Sequence, residues 1–249
     1  MKPTRIPFRL SARCIVLLAV LAVCLSCLSG SAAETAPALA NFFKRLRAGE
    51  KLTVVTYGTS VTEYGAWVAM VQKWFDEKFP GQVTIVNSGG HGQNSTWGAA
   101  QIKDKVLDHK PDLVFIEFAV NDAHTRFNLP VETARKNLDA MVTAIQEQNP
   151  NTAIVLQTMN AFWDCTKPGG FAAADTSRPK LEEYNDNYRA CAKERGLPLV
   201  DNYPDWAKFK KEHFDQFQIF LPDGTHPNKD GVRTVMWPNV ERFLEQSAR

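Results

Sequence analysis

A serine, an aspartate and a histidine in this chain carry the side chains that nucleophilic catalysis needs. Ser60 ends the tripeptide Gly58-Thr59-Ser60, which follows the apolar run 52–57 directly. Asp223 and His226 are three positions apart, so one turn can present both side chains together. A serine hydroxyl is a weak nucleophile until a base takes its proton and a third group orients that base. We therefore predict a triad in which His226 is the base and Asp223 orients it.

Asp223 and His226 also have ordinary structural explanations. Pro222-Asp223-Gly224 is a common turn sequence in which the aspartate bonds to its own backbone, and His226 could cap the helix that follows Pro227. The catalytic interpretation is favoured because the histidine and the acid occur together with a serine placed where a strand would end.

Acyl transfer also needs donors for the oxygen that becomes negative in the tetrahedral intermediate. Gly92 closes the segment Asn87-Ser88-Gly89-Gly90-His91-Gly92, and a glycine lets the backbone approach a ligand closely. The side-chain amide of Asn121 supplies an N–H group. We predict an oxyanion hole formed by Gly92, Asn121 and the backbone N–H of Ser60.

These segments, in this order, resemble the SGNH (GDSL-type) hydrolase superfamily. Ser60 matches the nucleophile of block I, Gly92 and Asn121 match the two oxyanion residues, and Asp223 and His226 match the Asp-x-x-His block. Two positions depart from the pattern. Thr59 replaces the aspartate of Gly-Asp-Ser, and Ala119 replaces the glycine of Gly-x-Asn-Asp, where it would restrict the backbone beside Asn121. The resemblance implies an ester hydrolase that needs no cofactor.

Short apolar runs alternate with amphipathic stretches along the chain, which favours an α/β fold. The predicted buried strands are 52–57, 83–87, 113–118, 153–159 and 197–201. The predicted helices are 66–79, 97–108, 131–147, 180–195 and 229–246. We predict a three-layer α/β/α sandwich around a central, mainly parallel five-stranded sheet.

The predicted sheet brings the candidate residues to one edge. Right-handed crossovers place the carboxyl ends of all the parallel strands on the same side of the molecule, where ligands bind. Ser60, Gly92 and Asn121 each follow a predicted strand. The segment 160–178, rich in Gly, Pro and Ala, leaves the fourth strand at the same edge and is the candidate substrate-shaping loop.

The first 33 residues read as a secretory signal peptide. Four basic residues precede an uncharged apolar stretch from Cys14 to Leu28, and Ser31-Ala32-Ala33 offers small residues for cleavage. Lipid attachment at Cys24 or Cys27 is a less favoured alternative, because the residues around both cysteines are atypical for it. We predict an exported protein without stable membrane insertion after processing.

Residues 34–249 are long enough for one core and are predicted to form one domain. Without the four basic residues of the leader, 25 Lys and Arg stand against 27 Asp and Glu, a formal net charge of −2. Such a charge gives no indication of nucleic-acid binding. Cys165 and Cys191 remain after processing, and either a disulfide or two free thiols are compatible with their spacing.

Three other classes compete with a serine esterase of this type. An α/β-hydrolase would carry Gly-x-Ser-x-Gly, but residues 58–62 lack the second glycine. A metallohydrolase could draw ligands from His91, Asp122, His124, Asp223 and His226, but their spacing matches no strong metal motif. A non-catalytic protein could bind glycans through Trp97, Phe127, Phe162 or Trp163, although such aromatic residues more often fill cores.

The sequence therefore predicts an exported serine esterase that forms an acyl-enzyme on Ser60. Its expected substrates are small-molecule or glycan esters, with short acyl groups such as acetyl on carbohydrates preferred. An acylhydrolase for longer chains, of the lipase or thioesterase type, and a glycan-binding protein on a hydrolase scaffold are the alternatives. No metal or other cofactor is expected, and the oligomeric state is left open.

Overall fold

The computed structural model describes residues 36–249, so the predicted signal peptide lies outside the described residues. In this part of the chain, five parallel strands form one sheet in the order β2-β1-β3-β4-β5. The strands are β1 Leu52–Tyr57, β2 Val83–Asn87, β3 Leu113–Ile116, β4 Ala153–Thr158 and β5 Leu199–Asp201. The predicted α/β fold with a parallel five-stranded sheet is confirmed.

The three central strands, β1, β3 and β4, are buried, and their sequences are almost entirely apolar or β-branched. Every residue of β3 and β4 is buried, as is nearly all of β1, which pairs with β2 and β3 on its two sides. A strand covered on both faces has no polar face, so its sequence reads as one apolar run rather than an alternation. This pattern made the strands predictable to within two residues at each end.

Helices cover the sheet in two groups. They are α1 Pro37–Arg47, α2 Ser60–Glu63, α3 Ala66–Lys78, α4 Ser95–Lys105, α5 Ala119–Asp122, α6 Val131–Gln148, α7 Leu181–Arg195, α8 Tyr203–Glu212, α9 Phe214–Phe220, α10 Lys229–Gly231 and α11 Trp237–Ser247. Helix α11 contacts α1 and α3, whereas α6 contacts α4 and α7. The two groups are the outer layers of the predicted sandwich.

Helices α1, α8 and α9 were not predicted from the sequence. Helix α1 buries Phe42 and Phe43, and Phe43 packs edge-on against Trp74 of α3. Helix α8 buries Trp206, which packs against Phe217 of α9. Each of these helices is held by a few large aromatic side chains, and such packing is decided by tertiary contacts rather than by a regular sequence period.

Within residues 36–249, none of the helices combines the length and the apolar character that crossing a membrane requires.

Candidate active site

Ser60 lies at the first position of α2, three residues beyond the end of β1. Thr59 caps this short helix, since its hydroxyl accepts a hydrogen bond from the backbone N–H of Val61 at 3.2 Å. Gly58 makes the close turn possible: a Cβ atom at this position would lie 2.2 Å from Oε1 of Glu117. The strand, the glycine and the cap together fix the backbone from which the Ser60 hydroxyl projects.

The hydroxyl of Ser60 is linked to two further side chains. Oγ of Ser60 lies 2.9 Å from Nε2 of His226, and Nδ1 of His226 lies 2.7 Å from Oδ2 of Asp223. An ionised carboxylate only accepts hydrogen bonds, so Nδ1–H of His226 donates to Asp223 and Nε2 is left as the acceptor for the serine hydroxyl. The three residues predicted from sequence thus form one continuous hydrogen-bonded chain.

Asp223 is held ionised by its surroundings. Burial raises the pKa of its carboxyl, but hydrogen bonds from the His226 ring and from the backbone N–H groups of His226 and Thr225 outweigh burial, so the pKa lies below its ordinary value. Oδ1 accepts both backbone bonds, at 2.7 Å and 2.8 Å. One carboxylate therefore orients the imidazole ring and also shapes the turn that carries it.

The Asp223 turn is fastened to the loop 160–178. The backbone N–H of Phe171 donates to the carbonyl of Asp223 at 2.8 Å, and the N–H of Trp163 donates to the carbonyl of Gly224 at 3.1 Å. Gly224 has φ +87°, and a Cβ atom there would lie 2.3 Å from the carbonyl oxygen of Trp163. Only glycine fits this left-handed conformation and close approach.

The three candidate oxyanion donors border the same cleft. Within the described residues, the backbone N–H groups of Ser60 and Gly92 donate to no protein acceptor. Asn121 donates one amide hydrogen from Nδ2 to the carbonyl of Gln93 at 2.7 Å, which orients the amide and leaves its second hydrogen free. Ala119 takes the helical conformation at the start of α5, so the missing glycine does not disturb Asn121.

The cleft has a volume of about 230 Å³. Besides Ser60, Gly92, Asn121 and His226, it is lined by Phe171, Ala172, Ala173, Ala174 and Arg178 of the loop 160–178 and by Arg126.

Residues 53–234 match the model of the GDSL-like lipase/acylhydrolase family, a span that contains all the candidate site residues. The chain belongs to this family. It is accordingly an ester-hydrolysing serine hydrolase, as the sequence predicted.

The chain is also similar to individual proteins. The uncharacterised lipoprotein YqeF of Bacillus subtilis (strain 168) is 26% identical over 207 residues, which cover 73% of this chain and 85% of YqeF. A two-domain esterase (CEX) active on acetylated mannans has a TM-score of 0.65 and 23% identity, covering 85% of this chain and 53% of its own. The chain thus spans about half the length of that esterase.

A second solved structure is similar to this chain over nearly the whole of the solved protein. It is a catalytic mutant of Axe2, an acetylxylan esterase from Geobacillus stearothermophilus. The TM-score is 0.61 and the identity 20%, over 80% of this chain and 95% of that chain. At these identities the likeness to both esterases establishes the fold.

In this member of the GDSL-like family, a buried carboxyl group that the sequence did not point to supports the turn that carries Ser60. Oε1 of Glu117 accepts from the backbone N–H of Thr59 at 2.6 Å and from the hydroxyl of Thr62 at 2.7 Å. Burial is the largest influence on its carboxyl and raises the pKa to about 7. Where block I of the family has an aspartate, this chain has Thr59, and the carboxyl group of Glu117 reaches the turn from the end of β3 instead.

Within residues 36–249, no three His, Cys, Asp or Glu side chains gather to hold a metal ion. Cys165 and Cys191 are both buried and free. Phe162 and Trp163 are buried in the core, so neither offers an open glycan platform.

Proposed function

We propose that this hydrolase removes short acyl groups, chiefly acetyl, from carbohydrates through an acyl-enzyme on Ser60. The observation that carries the proposal is the continuous hydrogen-bonded chain from Oγ of Ser60 through His226 to Asp223 at the edge of an open cleft. This arrangement meets the two requirements of an activated serine, a base within reach and a group that orients the base.

The reaction proceeds in two acyl-transfer steps. Nε2 of His226 takes the proton of Ser60 as Oγ attacks the ester carbonyl, and Asp223 stabilises the resulting imidazolium. The N–H groups of Ser60, Gly92 and Asn121 bind the oxyanion, each donor contributing about 10²- to 10³-fold in rate. His226 then protonates the departing alcohol. Water, deprotonated by His226, attacks the acyl-enzyme and releases the carboxylic acid and free Ser60.

A small recess beside Ser60 supports the preference for a short acyl group. It is lined by apolar side chains, among them Val61, Trp67 and Met236, and its volume is about 20 Å³. A cavity of roughly 10–15 Å³ holds a single water molecule. A methyl group fits such a recess, whereas an octanoyl chain does not.

Exposed aromatic residues at the cleft support a sugar as the alcohol part of the ester. Phe171 is 48% exposed and lies edge-on to the His226 ring, with a centroid distance of 5.9 Å. Tyr64 is 66% exposed and borders the recess beside Ser60. Aromatic rings at a cleft offer flat apolar faces on which a pyranose can stack. The structural neighbours active on acetylated mannans and acetylxylan fit the same substrate class.

Ester hydrolysis by three forms of the protein tests the proposal. We expect the wild type to hydrolyse nitrophenyl acetate far faster than nitrophenyl octanoate, measured as released nitrophenol. We also expect it to release acetate from acetylated glycans. Ser60→Ala should lower kcat/KM by about 10⁴-fold or more, because the nucleophile is lost while the fold is kept. Ser247→Ala, in α11 and away from the cleft, is the matched control and should retain full activity.

Three outcomes would contradict the proposal. Turnover by a folded Ser60→Ala protein would exclude the serine mechanism. Activity that a chelator abolishes would place the reaction with a metal. A preference for the octanoyl ester would favour the alternative acylhydrolase for longer chains.

We also propose that residues 1–33 direct export and that the remaining chain acts outside the cytoplasm as one domain. The apolar stretch after four basic residues supports a leader, and the related lipoprotein YqeF supports an envelope location. Intact mass of the protein recovered from the envelope or medium is the test. A mature form beginning near Glu34 fits soluble export, and an unprocessed chain would overturn it.

A further inference from the structure

The cleft at Ser60 is lined by cationic and neutral side chains only. Arg126 and Arg178 border it, and no Asp or Glu among residues 36–249 does so. The carboxylate of Asp223 lies behind His226 and is occupied by the imidazole and two backbone N–H groups. A neutral ester requires no such accumulation of positive charge.

Arg178 is buried and rigidly held. Arg178 is only 7% exposed, and its guanidinium lies 4.0 Å above the ring of Phe162. Nε donates to the carbonyl of Val120 at 2.7 Å, and a second nitrogen, Nη1, donates to the carbonyl of Ala174. Nη2 donates to no acceptor in the described part of the chain. The group is therefore fixed with one donor nitrogen unused.

The charge of Arg178 has no carboxylate partner within salt-bridge distance in residues 36–249. Asp175 raises its pKa through space but is itself paired with Lys210 at 2.7 Å. Burial lowers the pKa of Arg178 to about 10, with the charge of Arg126 adding to the effect, and the group remains a cation at neutral pH. A buried charge is unfavourable unless a partner compensates it, so a missing partner points to a ligand.

Arg126 adds a second, exposed cation at the same cleft. It is exposed, lies 4.5 Å above the Phe127 ring, and reaches the carbonyl of Gly92 only at 3.3 Å. His124 lines the same cleft, and its pKa is lowered to about 4 by burial and by the charges of Arg178 and Arg126. His124 is therefore neutral near pH 7 and leaves two guanidinium groups as the charges of the cleft.

We propose that Arg126 and Arg178 bind a carboxylate of the substrate, so that this enzyme prefers acetylated sugars of the uronic acid type. The inference rests on the proposed esterase function for its reaction, but the anion site is a property of the cleft itself. A guanidinium presents paired N–H donors that match a carboxylate, which a neutral hexose cannot use.

The two arginines also contact the segments that carry the oxyanion donors. Arg126 bonds to Gly92, and Arg178 bonds to the residue before Asn121, so both could support the oxyanion donors instead. Support of the oxyanion would affect every ester equally, whereas carboxylate binding affects acidic substrates alone. Arg178 also braces the loop 160–178, so Arg126, which is exposed, is the residue to change.

Binding is measured first, in the Ser60→Ala background, where no turnover interferes. We expect calorimetry to detect methyl glucuronoside and to find methyl glucoside, which differs only in having CH₂OH for the carboxylate, at least about tenfold weaker. Arg126→Gln should weaken the glucuronoside by about 10- to 100-fold. Arg242→Gln, an exposed arginine of α11, should leave its affinity unchanged. Equal affinity for both glycosides would overturn the proposal.

Turnover is measured second, with the monoacetylated forms of the same two glycosides. Arg126→Gln should lower kcat/KM for the acidic substrate by about 10- to 100-fold and leave the neutral one within about twofold. An equal loss on both would assign Arg126 to support of the oxyanion donors and overturn the anion site. Selective binding of glucuronoside without Ser60-dependent turnover would instead overturn the proposed deacetylation of carbohydrates while supporting the anion site.

Discussion

The two oxygens of Asp223 serve two different parts of the candidate triad. Oδ2 accepts from the His226 ring, and Oδ1 accepts from the backbone N–H groups of Thr225 and His226. An amide in the same place could still accept backbone bonds through its oxygen. It would also offer a donor to Nδ1, which favours the tautomer whose Nε2 carries a proton and cannot accept one from Ser60.

We therefore expect Asp223→Asn to lower kcat by about 10⁴-fold while the protein stays folded. Steady-state hydrolysis of the acetyl ester measures the loss. Asp230→Asn is the matched control, because Asp230 is exposed and pairs only with Arg233 at 2.7 Å. Near-normal turnover by Asp223→Asn would show that the acid does not determine the imidazole tautomer.

The pH profile of the wild type tests the role of His226 as the base. Because hydrogen bonds keep the pKa of Asp223 below its ordinary value, the carboxylate stays ionised on mild acidification. Activity should nevertheless fall as the pH is lowered, because a protonated His226 cannot take the proton of Ser60. A profile without an acid limb would count against His226 as the base.

At the scale of elements, the position of His226 depends on a loop that precedes it by some fifty residues. The loop 160–178 is bonded to the Asp223 turn through Trp163 and Phe171, and Gly224 lies at the point of closest approach. The sheet fixes Ser60, but the base is fixed by contact between two loops. Alignment of the triad is therefore more sensitive to the loop packing than to the strands.

Gly224→Ala tests this dependence. The added methyl would lie 2.3 Å from the carbonyl oxygen of Trp163, so the turn must move, and a displacement near 1 Å can lower a rate by about 10²-fold. Gly169→Ala is a matched control in the loop itself: φ is +80° there, but no atom lies within 4 Å of the added methyl. We expect kcat to fall in the first variant and to stay near the wild-type value in the second. Equal kinetics for the two variants would refute the coupling.

The structure was predictable from the sequence where a residue's role is local. The strands followed from apolar runs, and the bounds of β1 and β2 were predicted to the residue. The segments carrying Ser60, Gly92 and Asn121 could be placed at one edge because parallel strands end together. The roles of these residues in catalysis remain predictions that the variants above test.

Residues whose importance arises from tertiary contacts were missed. Glu117 lies in an apolar run and gives no sign that Thr59 and Thr62 will surround its carboxylate. Arg126 and Arg178 are separated by fifty-one other residues, and only the fold brings both to one cleft. The absence of a carboxylate partner is a property of the folded surroundings, so no sequence pattern could have indicated it.

At the scale of the whole molecule, the buried carboxyl of Glu117 links stability to pH. Its pKa is raised by burial from 4.5 to about 7, so in the folded protein it stays protonated over a range where the unfolded chain ionises freely. The folded state then binds more protons than the unfolded state, and stability falls as the pH rises from about 4.5 to about 7. Above this range the loss is complete.

Glu117→Gln should remove this contribution, since glutamine does not ionise and its oxygen can keep the bond from the N–H of Thr59. Relative to the wild type, the variant should gain stability with rising pH, by up to about 1.4 kcal/mol per pH unit between roughly 5 and 7. Urea unfolding at pH 5, 6 and 7 measures the difference. Asp122, whose pKa is also raised to about 7 by burial, is present in both proteins, so most of its contribution cancels.

Glu147→Gln, at an exposed position of α6, should show no such trend. A pH-independent difference for Glu117→Gln would mean that Glu117 is ionised in the folded protein and that Thr59 and Thr62 stabilise a carboxylate beneath the nucleophile.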